Sequence, residues 1–577
     1  MGGHAADHPG GDGEWPAGGG VDGRRYPARD RRRGDRPPRC SPAAGGAGRR
    51  ARSPPARPAA AGQHGTGGSP AGRAAVQYSW DLRRARCDLP RSDPDASGRP
   101  AGGVNRTPLV AALVTGLTIG IASPAPAHAE DEGEAPIQHT IIVYQENISF
   151  DHYFGTFGQG SSGIPAGAQL FHTTPEGMQL GPFSPFRLDG TTQSSTCDVD
   201  HDYGSMIAMA DGGAMDHYLQ FGNDLTEPSP YGPCPSFEAN PDGPALALGY
   251  YEGTAGDASA PLQNYWRLAS QYTLADNAFS AMYGPSTAGA QWLVAATANT
   301  VGDPNPAGDV CNDYGGPFMP QQDIPNLGAE ASAAGVSWAW FEGGFGTCVT
   351  SGSLADYSAH HDPFQYFTST ADLAHEWAWN PRMNFPQPNR HQRDLQVLYA
   401  ALDRTPIDGT VPRLPQISWV KAPKPFDGHP GYSSPVADDA FIGDLVGRIQ
   451  ASKYWKHTAI IVAFDETGGW WDHASPPAQT DPHFMPTIDG SPNLSGCQYP
   501  GMGDPCGEAG FGPRIPLLVI SPYAKRHAVD HDLMDTSSLV RWVESTYHLP
   551  PLGVWGNRDV NAGDLRGAFD FSAEDQP

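Results

Sequence analysis

Two stretches built to the same plan, residues 139–147 (HTIIVYQEN) and 457–466 (HTAIIVAFDE), constrain the fold of this chain more than any other feature. Each is a short unbroken apolar run, the pattern of a strand covered on both faces, as in a parallel sheet. Each ends in two oxygen-bearing side chains, Glu146-Asn147 and Asp465-Glu466. Runs of similar character at 336–341, 417–420 and 515–521 read as further buried parallel strands. Residues 438–455 place Ile442, Leu445, Val446 and Ile449 at helical spacing, and 539–547 is a second helical pattern. Strands that alternate with helices predict an α/β fold: a mainly parallel central sheet flanked by helices, with long loops and with its chemistry beyond the carboxyl ends of the strands.

Charge is distributed unevenly along the chain. Residues 1–129 hold 19 arginines, no lysine and ten acidic residues, whereas the remainder holds 18 basic and 53 acidic ones. So acidic a body is a poor partner for nucleic acid or an anionic membrane surface. Residues 1–103, rich in Gly, Ala, Pro and Arg and without apolar periodicity, read as disordered and as a mis-assigned extension, with translation starting near Val104. Residues 104–129 read as a secretory signal peptide: Arg106, an apolar run at 109–122, and Ala127-His128-Ala129 as the cleavage site. That run is shorter than the roughly 20 apolar residues a membrane span needs, so no transmembrane anchor is expected in the mature form. No twin-arginine pair precedes it, so export of an unfolded chain to a secreted or cell-surface location is expected, with cleavage near Ala129. Six cysteines follow Ala129, an even number that suits an oxidising compartment. Their simplest pairing is sequential: Cys197 with Cys234, Cys311 with Cys348, and Cys497 with Cys506. Residues 130–577 show no linker and no repeat, and read as one large domain.

The oxygen-bearing strand ends carry the chemistry. If the two strands are parallel neighbours, Glu146, Asn147, Asp465 and Glu466 surround one point. Carboxylate and amide oxygens suit a hard divalent cation such as Mg, Ca or Mn, because three carboxylates brought together without one repel each other. The bland alternative is that they cap turns and face water. A third element, Tyr283-Gly284-Pro285-Ser286-Thr287, leads into an apolar helical stretch at 291–297. Ser286 reads either as an N-cap or as a nucleophile beside the free N–H groups of a helix start.

These motifs, taken in order, resemble the bacterial phosphoesterases that include phospholipases C and a group of acid phosphatases, relatives of the alkaline phosphatase superfamily. QENISFDHYFG (145–155) is similar to the family's QENRSFDHYFG, and GPST (284–287) to its nucleophile turn. HHDPFQYF (360–367), FDETGGWWDHASPP (464–477), GPRIPLLVISPYAK (512–525) and the closing AFDF (568–571) also fit. The resemblance implies an alkaline-phosphatase-like fold for 130–577 and a phosphoester hydrolase with a single divalent metal ion or a metal cluster, of unknown identity, in which Glu146, Asn147, Asp465 and Glu466 coordinate the cation. It implies Ser286 as a nucleophile that forms a phosphoseryl intermediate, later cleaved by water. It further implies His201, His361 and His429 as catalytic histidines that bind phosphoryl oxygens and protonate the leaving group. Asp472 and His473 read as loop-shaping.

The chain departs from the family pattern at Ile148, where the family has Arg, at Gly428, where it has an acidic residue, and at Ala288-Gly289, where it has Pro-Asn. The substrate is then a phosphate ester or a phospholipid. A serine nucleophile and the absence of extra C-terminal β-domains lean towards an acid-phosphatase-type phosphomonoesterase. The first alternative is a phospholipase C acting on phosphatidylcholine-like lipids. The second, motivated by Ala288-Gly289, is a non-catalytic exported protein that binds metal and phosphate. Sulfuryl transfer lacks its CxPxR or SxPxR motif around Ser286.

Overall fold

The structure is a computed structural model, and it describes residues 136–174, 177–194, 196–221, 246–312, 317–382, 390–477, 511–553 and 558–572. The extension, the signal peptide and the cleavage site at Ala129 lie outside the described residues. A nine-stranded sheet organises the rest. Its strands in chain order are β1 (His139–Gln145), β2 (Thr273–Phe279), β3 (Trp338–Glu342), β4 (Gln392–Asp394), β5 (Ile417–Lys421), β6 (Thr458–Phe464), β7 (Arg514–Ile520), β8 (Ala528–Asp530) and β9 (Met534–Asp535). Across the sheet the order is β4-β3-β5-β1-β6-β7-β2-β8, with β9 also paired to β2.

The two runs that open the sequence argument are parallel neighbours, in register from His139↔Thr458 to Gln145↔Phe464. Strands β4, β3, β5, β1 and β6 all run parallel. The expectation for 515–521 needs correction: β7 forms there but runs antiparallel to both β6 and β2. Burial on both faces selects apolar residues whichever way a strand points, so composition does not reveal direction. The apolar content of the central strands fixes their depth, and every residue of β3, β5, β6 and β7 is buried.

Helices flank this sheet. α1 (Phe150–Phe154) follows β1 directly, α2 (Gln263–Gln271) precedes β2, α3 (Ser286–Ala295) follows it, and α4 (Leu395–Leu402), α5 (Pro435–Ala451) and α6 (Thr536–Thr546) complete the layers. α5 buries Ile442, Leu445, Val446 and Ile449 as their spacing predicts, but it starts at Pro435. Ser434 caps it by accepting a hydrogen bond from the Ala437 amide, and proline is favoured at a first helical position. Cys311 and Cys348 form the expected disulfide, within a small satellite core with Phe345, Tyr357, Ala359 and Ala378. Cys197 is also disulfide-bonded, while Cys234, Cys497 and Cys506 lie outside the described residues. Among the described residues no helix is long and apolar enough to cross a membrane.

Candidate active site

Because β1 and β6 are parallel and in register, their carboxyl ends deliver Glu146-Asn147 and Asp465-Glu466 side by side. All four residues are buried. The Asp465 carboxylate knits the two ends together: its Oδ1 accepts the Asn147 amide at 2.8 Å and the Glu466 amide at 2.7 Å. Asn147 holds a left-handed backbone (φ 59°), a conformation asparagine tolerates better than most residues. Glu466 Oε2 accepts the Gly468 amide at 2.5 Å. What remains is the telling feature. Glu146 Oε2, Asn147 Oδ1, Asp465 Oδ2 and Glu466 Oε1 are each buried with no donor in hydrogen-bond geometry.

Buried unpartnered oxygens are costly, and three carboxylates among them repel one another. Burial, with Glu146 close by, pushes Asp465 up to about 7. Burial likewise raises Glu466 well above the carboxylate range, against the pull of His201. Burial alone would raise Glu146 too, but His361 and the Lys421 ammonium hold it well below that range. This donor set fits a hard divalent cation: oxygen ligands only, mostly anionic, and lacking any other partner.

Ser286 is the first residue of α3, and Pro285 is its N-cap, so the serine hydroxyl is not spent on capping. It interacts with the Asp465 carboxylate and offsets part of the rise there. The helix start is seated tightly because residue 289 is glycine: a Cβ there would meet the Asp465 carbonyl oxygen at 2.7 Å and the Tyr144 hydroxyl at 2.9 Å. The departure at Ala288-Gly289 therefore leaves an intact helix start against the carboxylate strand. Gly428 has φ +95°, a left-handed conformation that disfavours the acidic residue of the family pattern. Ile148 is a core residue whose amide donates to the Glu466 carbonyl at 3.0 Å.

The three histidines converge on this strand end from separate loops. His361 Nδ1 lies 2.5 Å from Glu146 Oε1. His201 Nε2 is 3.4 Å from Asn147 Nδ2, and its Nδ1 is 2.7 Å from the Val199 carbonyl oxygen. His429 packs edge-on to His201 with ring centroids 5.6 Å apart, stacks on Tyr432, and has Nδ1 2.6 Å from the Pro430 carbonyl oxygen. Burial opposes a charge on His201, yet Asp198, Glu466 and Asp303 together raise it well above its ordinary value.

The family model of the phosphoesterase family matches residues 137–550, which takes in every residue of this site. The chain belongs to the phosphoesterase family. Among its relatives, this phosphoesterase is 25% identical to a non-hemolytic phospholipase C of Pseudomonas aeruginosa over 82% of this chain and 62% of that protein. It therefore spans less than two thirds of that relative's length. Two proteins of Mycobacterium tuberculosis, phospholipase C B and phospholipase C A, are 26% and 28% identical over 79% and 78% of this chain and 81% and 79% of theirs. Among solved structures, a lipoteichoic acid synthase of Listeria monocytogenes is similar at 12% identity and a TM-score of 0.29, covering 54% of this chain and 72% of that one.

The candidate site also contains residues that sequence reasoning missed. Lys421, the last residue of β5, places Nζ 2.6 Å from Glu146 Oε1 and 3.6 Å from Asp427 Oδ2, and all three side chains are about 1% exposed. Asp198 lies 3.6 Å from His201 Nδ1. The signal for Lys421 was present: ISWVK ends in a charged residue as YQEN and AFDE do, at the same edge of the sheet. Asp472 and His473 shape their loop as expected. Arg514 Nε donates to Asp472 Oδ1 at 3.0 Å and its Nη2 to Asp151 Oδ1 at 3.1 Å, while His473 Nδ1 lies 2.7 Å from Asp151 Oδ2.

Proposed function

We propose that this phosphoesterase hydrolyses the phosphoric ester of a phospholipid, as a phospholipase C, with Ser286 as nucleophile and one divalent cation on Glu146, Asn147, Asp465 and Glu466. The observation that carries the reading is the set of four buried oxygens without donors, met by a helix that begins at Ser286. The phospholipase C relatives support the lipid as substrate. A bound cation of this kind supplies positive charge to the phosphoryl oxygens and favours the ionised serine.

The chain's own residues do the rest. Ser286 Oγ, its proton passed to solvent, attacks phosphorus as the bond to the glycerol oxygen breaks, which gives diacylglycerol and a phosphoseryl enzyme that still carries the headgroup ester; water then attacks phosphorus, releases the phosphorylated headgroup and restores Ser286. The helix N-terminus favours the negative charge of the phosphoryl group. His201 and His429, the two half-buried histidines, donate hydrogen bonds to its oxygens and a proton to the leaving alkoxide, and His361, which is buried, orients Glu146. The acidic body suits a zwitterionic lipid better than an anionic one. Export as a secreted or cell-surface protein, with cleavage near Ala129, belongs to the same reading.

A second reading, an acid-phosphatase-type phosphomonoesterase, is favoured by the serine at the nucleophile position. One experiment separates the two: release of phosphocholine from phosphatidylcholine beside release of phosphate from p-nitrophenyl phosphate, each with and without chelator. Chelator-sensitive cleavage of the lipid is expected, and Ser286→Ala lowers it by ~10⁴-fold or more. Cleavage of the monoester alone would make the phosphatase reading the correct one. A folded, metal-loaded chain that cleaves neither would point to the binding protein.

A further inference from the structure

The cation position on the far side of Glu146 is already taken. Three buried groups, Glu146, His361 and Asp427, bring one ligand atom each to within 4.8 Å of the others. Two carboxylates and an imidazole at that spacing are a sufficient donor set for a divalent ion such as zinc. The Lys421 ammonium sits among them, 2.6 Å from Glu146 Oε1 and 3.6 Å from Asp427 Oδ2. His361 Nδ1 reaches the same Glu146 oxygen at 2.5 Å. Glu146 is thereby divided. Its Oε1 lies against Lys421 and His361, in contacts that are ion pairs by distance without hydrogen-bond geometry, and Oε2, which neither reaches, is left for the cluster it shares with Asn147, Asp465 and Glu466.

We propose that Lys421 is the resident cation of a second ligand set, that it limits this phosphoesterase to one divalent ion, and that it holds Glu146 to a single free oxygen. Charge points the same way: the ammonium sits between two of the four buried carboxylates gathered here, Glu146 and Asp427, on the side away from Asp465 and Glu466. Position agrees as well. β5 pairs with β1 through Tyr144↔Lys421, so the sheet register delivers Lys421 to the side of Glu146 away from β6 and the Asp465 pair. A flexible ammonium in a fully buried site with two carboxylate neighbours is held there because releasing it would remove the lysine charge from between both acids, leaving Glu146 to His361 and Asp427 to the His429 amide and the Tyr432 hydroxyl.

The inference rests on the reading that the four oxygens hold a divalent cation, and the test keeps the two apart. The full chain is stripped with chelator, then titrated with Mn²⁺, and bound ions per chain are counted by equilibrium dialysis and by electron paramagnetic resonance. Wild type binds one Mn²⁺ with the signal of an isolated ion. Lys421→Ala binds two, with a spin-coupled signal, because Glu146, His361 and Asp427 are then free to ligate. Lys421→Arg, which keeps the charge, stays at one. Wild type with two ions, or folded Lys421→Ala with one, overturns the role of Lys421 and leaves the cation reading intact. Wild type with none overturns the cation reading itself. Should Lys421→Ala fail to fold, Lys421→Met, which keeps the stem and removes the charge, takes its place in the same count: two ions are expected, and one overturns the role of Lys421.

Discussion

Glu146 and Asp151 follow the same strand, and Glu466 and Asp472 follow its neighbour, yet the two pairs of buried acids are treated in opposite ways. Asp151 and Asp472 have donors on every oxygen. Arg514, His473 and the amides of Asp151, His473 and Ala474 supply them at 2.7–3.1 Å. Glu146, Asp465 and Glu466, a few residues upstream, each keep a buried oxygen with none. The first cluster is closed and serves the fold, tying the loop after β6 to α1 and β7. The second is open: each of its acids keeps a buried oxygen that no protein donor satisfies. Five or six residues of chain separate the closed charge cluster from the open one, and the difference lies in satisfaction, since both are equally buried.

The strongest way to break this contrast is to open the closed cluster. Arg514→Met leaves two buried carboxylates without their cation, and a loss of about 3–5 kcal/mol in unfolding free energy is expected from denaturant titration. An unchanged midpoint would mean that the Arg514 cluster is not what anchors this loop. Asp465→Asn probes the open cluster and should do the reverse. It removes one of three mutually repelling carboxylates, so metal-free stability holds or rises, while hydrolysis falls by on the order of 10²–10³-fold. A matched loss of stability and activity would place Asp465 with the structural acids.

A smaller effect tests the group that joins the two regions. Asp438 accepts hydrogen bonds from Gln145, beside Glu146, and from Tyr153 on α1, at 2.6 and 3.0 Å. Burial pushes it up to about 7 against those hydrogen bonds. A carboxyl whose pKa rises on folding keeps its proton in the native state and loses it in the unfolded state between roughly pH 4 and 7. Stability contributed by Asp438 is therefore full below about pH 4 and falls as pH rises, by up to about 1.4 kcal/mol per pH unit. Asp438→Asn should flatten that slope in urea titrations across the window. A slope that is the same in both proteins would show that Asp438 does not hold the proton.

The sequence made part of this legible for a physical reason. Continuous apolar runs mark strands buried on both faces, so β1, β3, β5, β6 and β7 could all be placed, and the polar pairs that end β1 and β6 marked the edge where chemistry sits. β2 (TLADNAF) was hidden because Asp276 and Asn277 interrupt its run, at the register shift in its pairing with β7; Asp276 accepts the Ser162 amide and Asn277 donates to the His531 carbonyl. The antiparallel course of β7 left no mark either, since strand direction is set by the connection that precedes it. Lys421 and Asp427 were missed because a single charged residue at a strand end or in a loop resembles any solvated one until the register brings it against Glu146. For Ser286 the sequence offered cap or nucleophile; the helix begins at that residue with Pro285 in the capping position, so the capping role is not its own.

The most direct test of the central claim is to trap the intermediate. The metal-loaded chain is mixed with phosphatidylcholine, quenched in acid within one turnover, digested and examined by mass spectrometry. The account predicts a phosphocholine adduct on the peptide that contains Ser286, and its absence both in Ser286→Ala and in chelator-treated wild type. Steady hydrolysis with no adduct on that peptide, or with the adduct on a histidine instead, would contradict it.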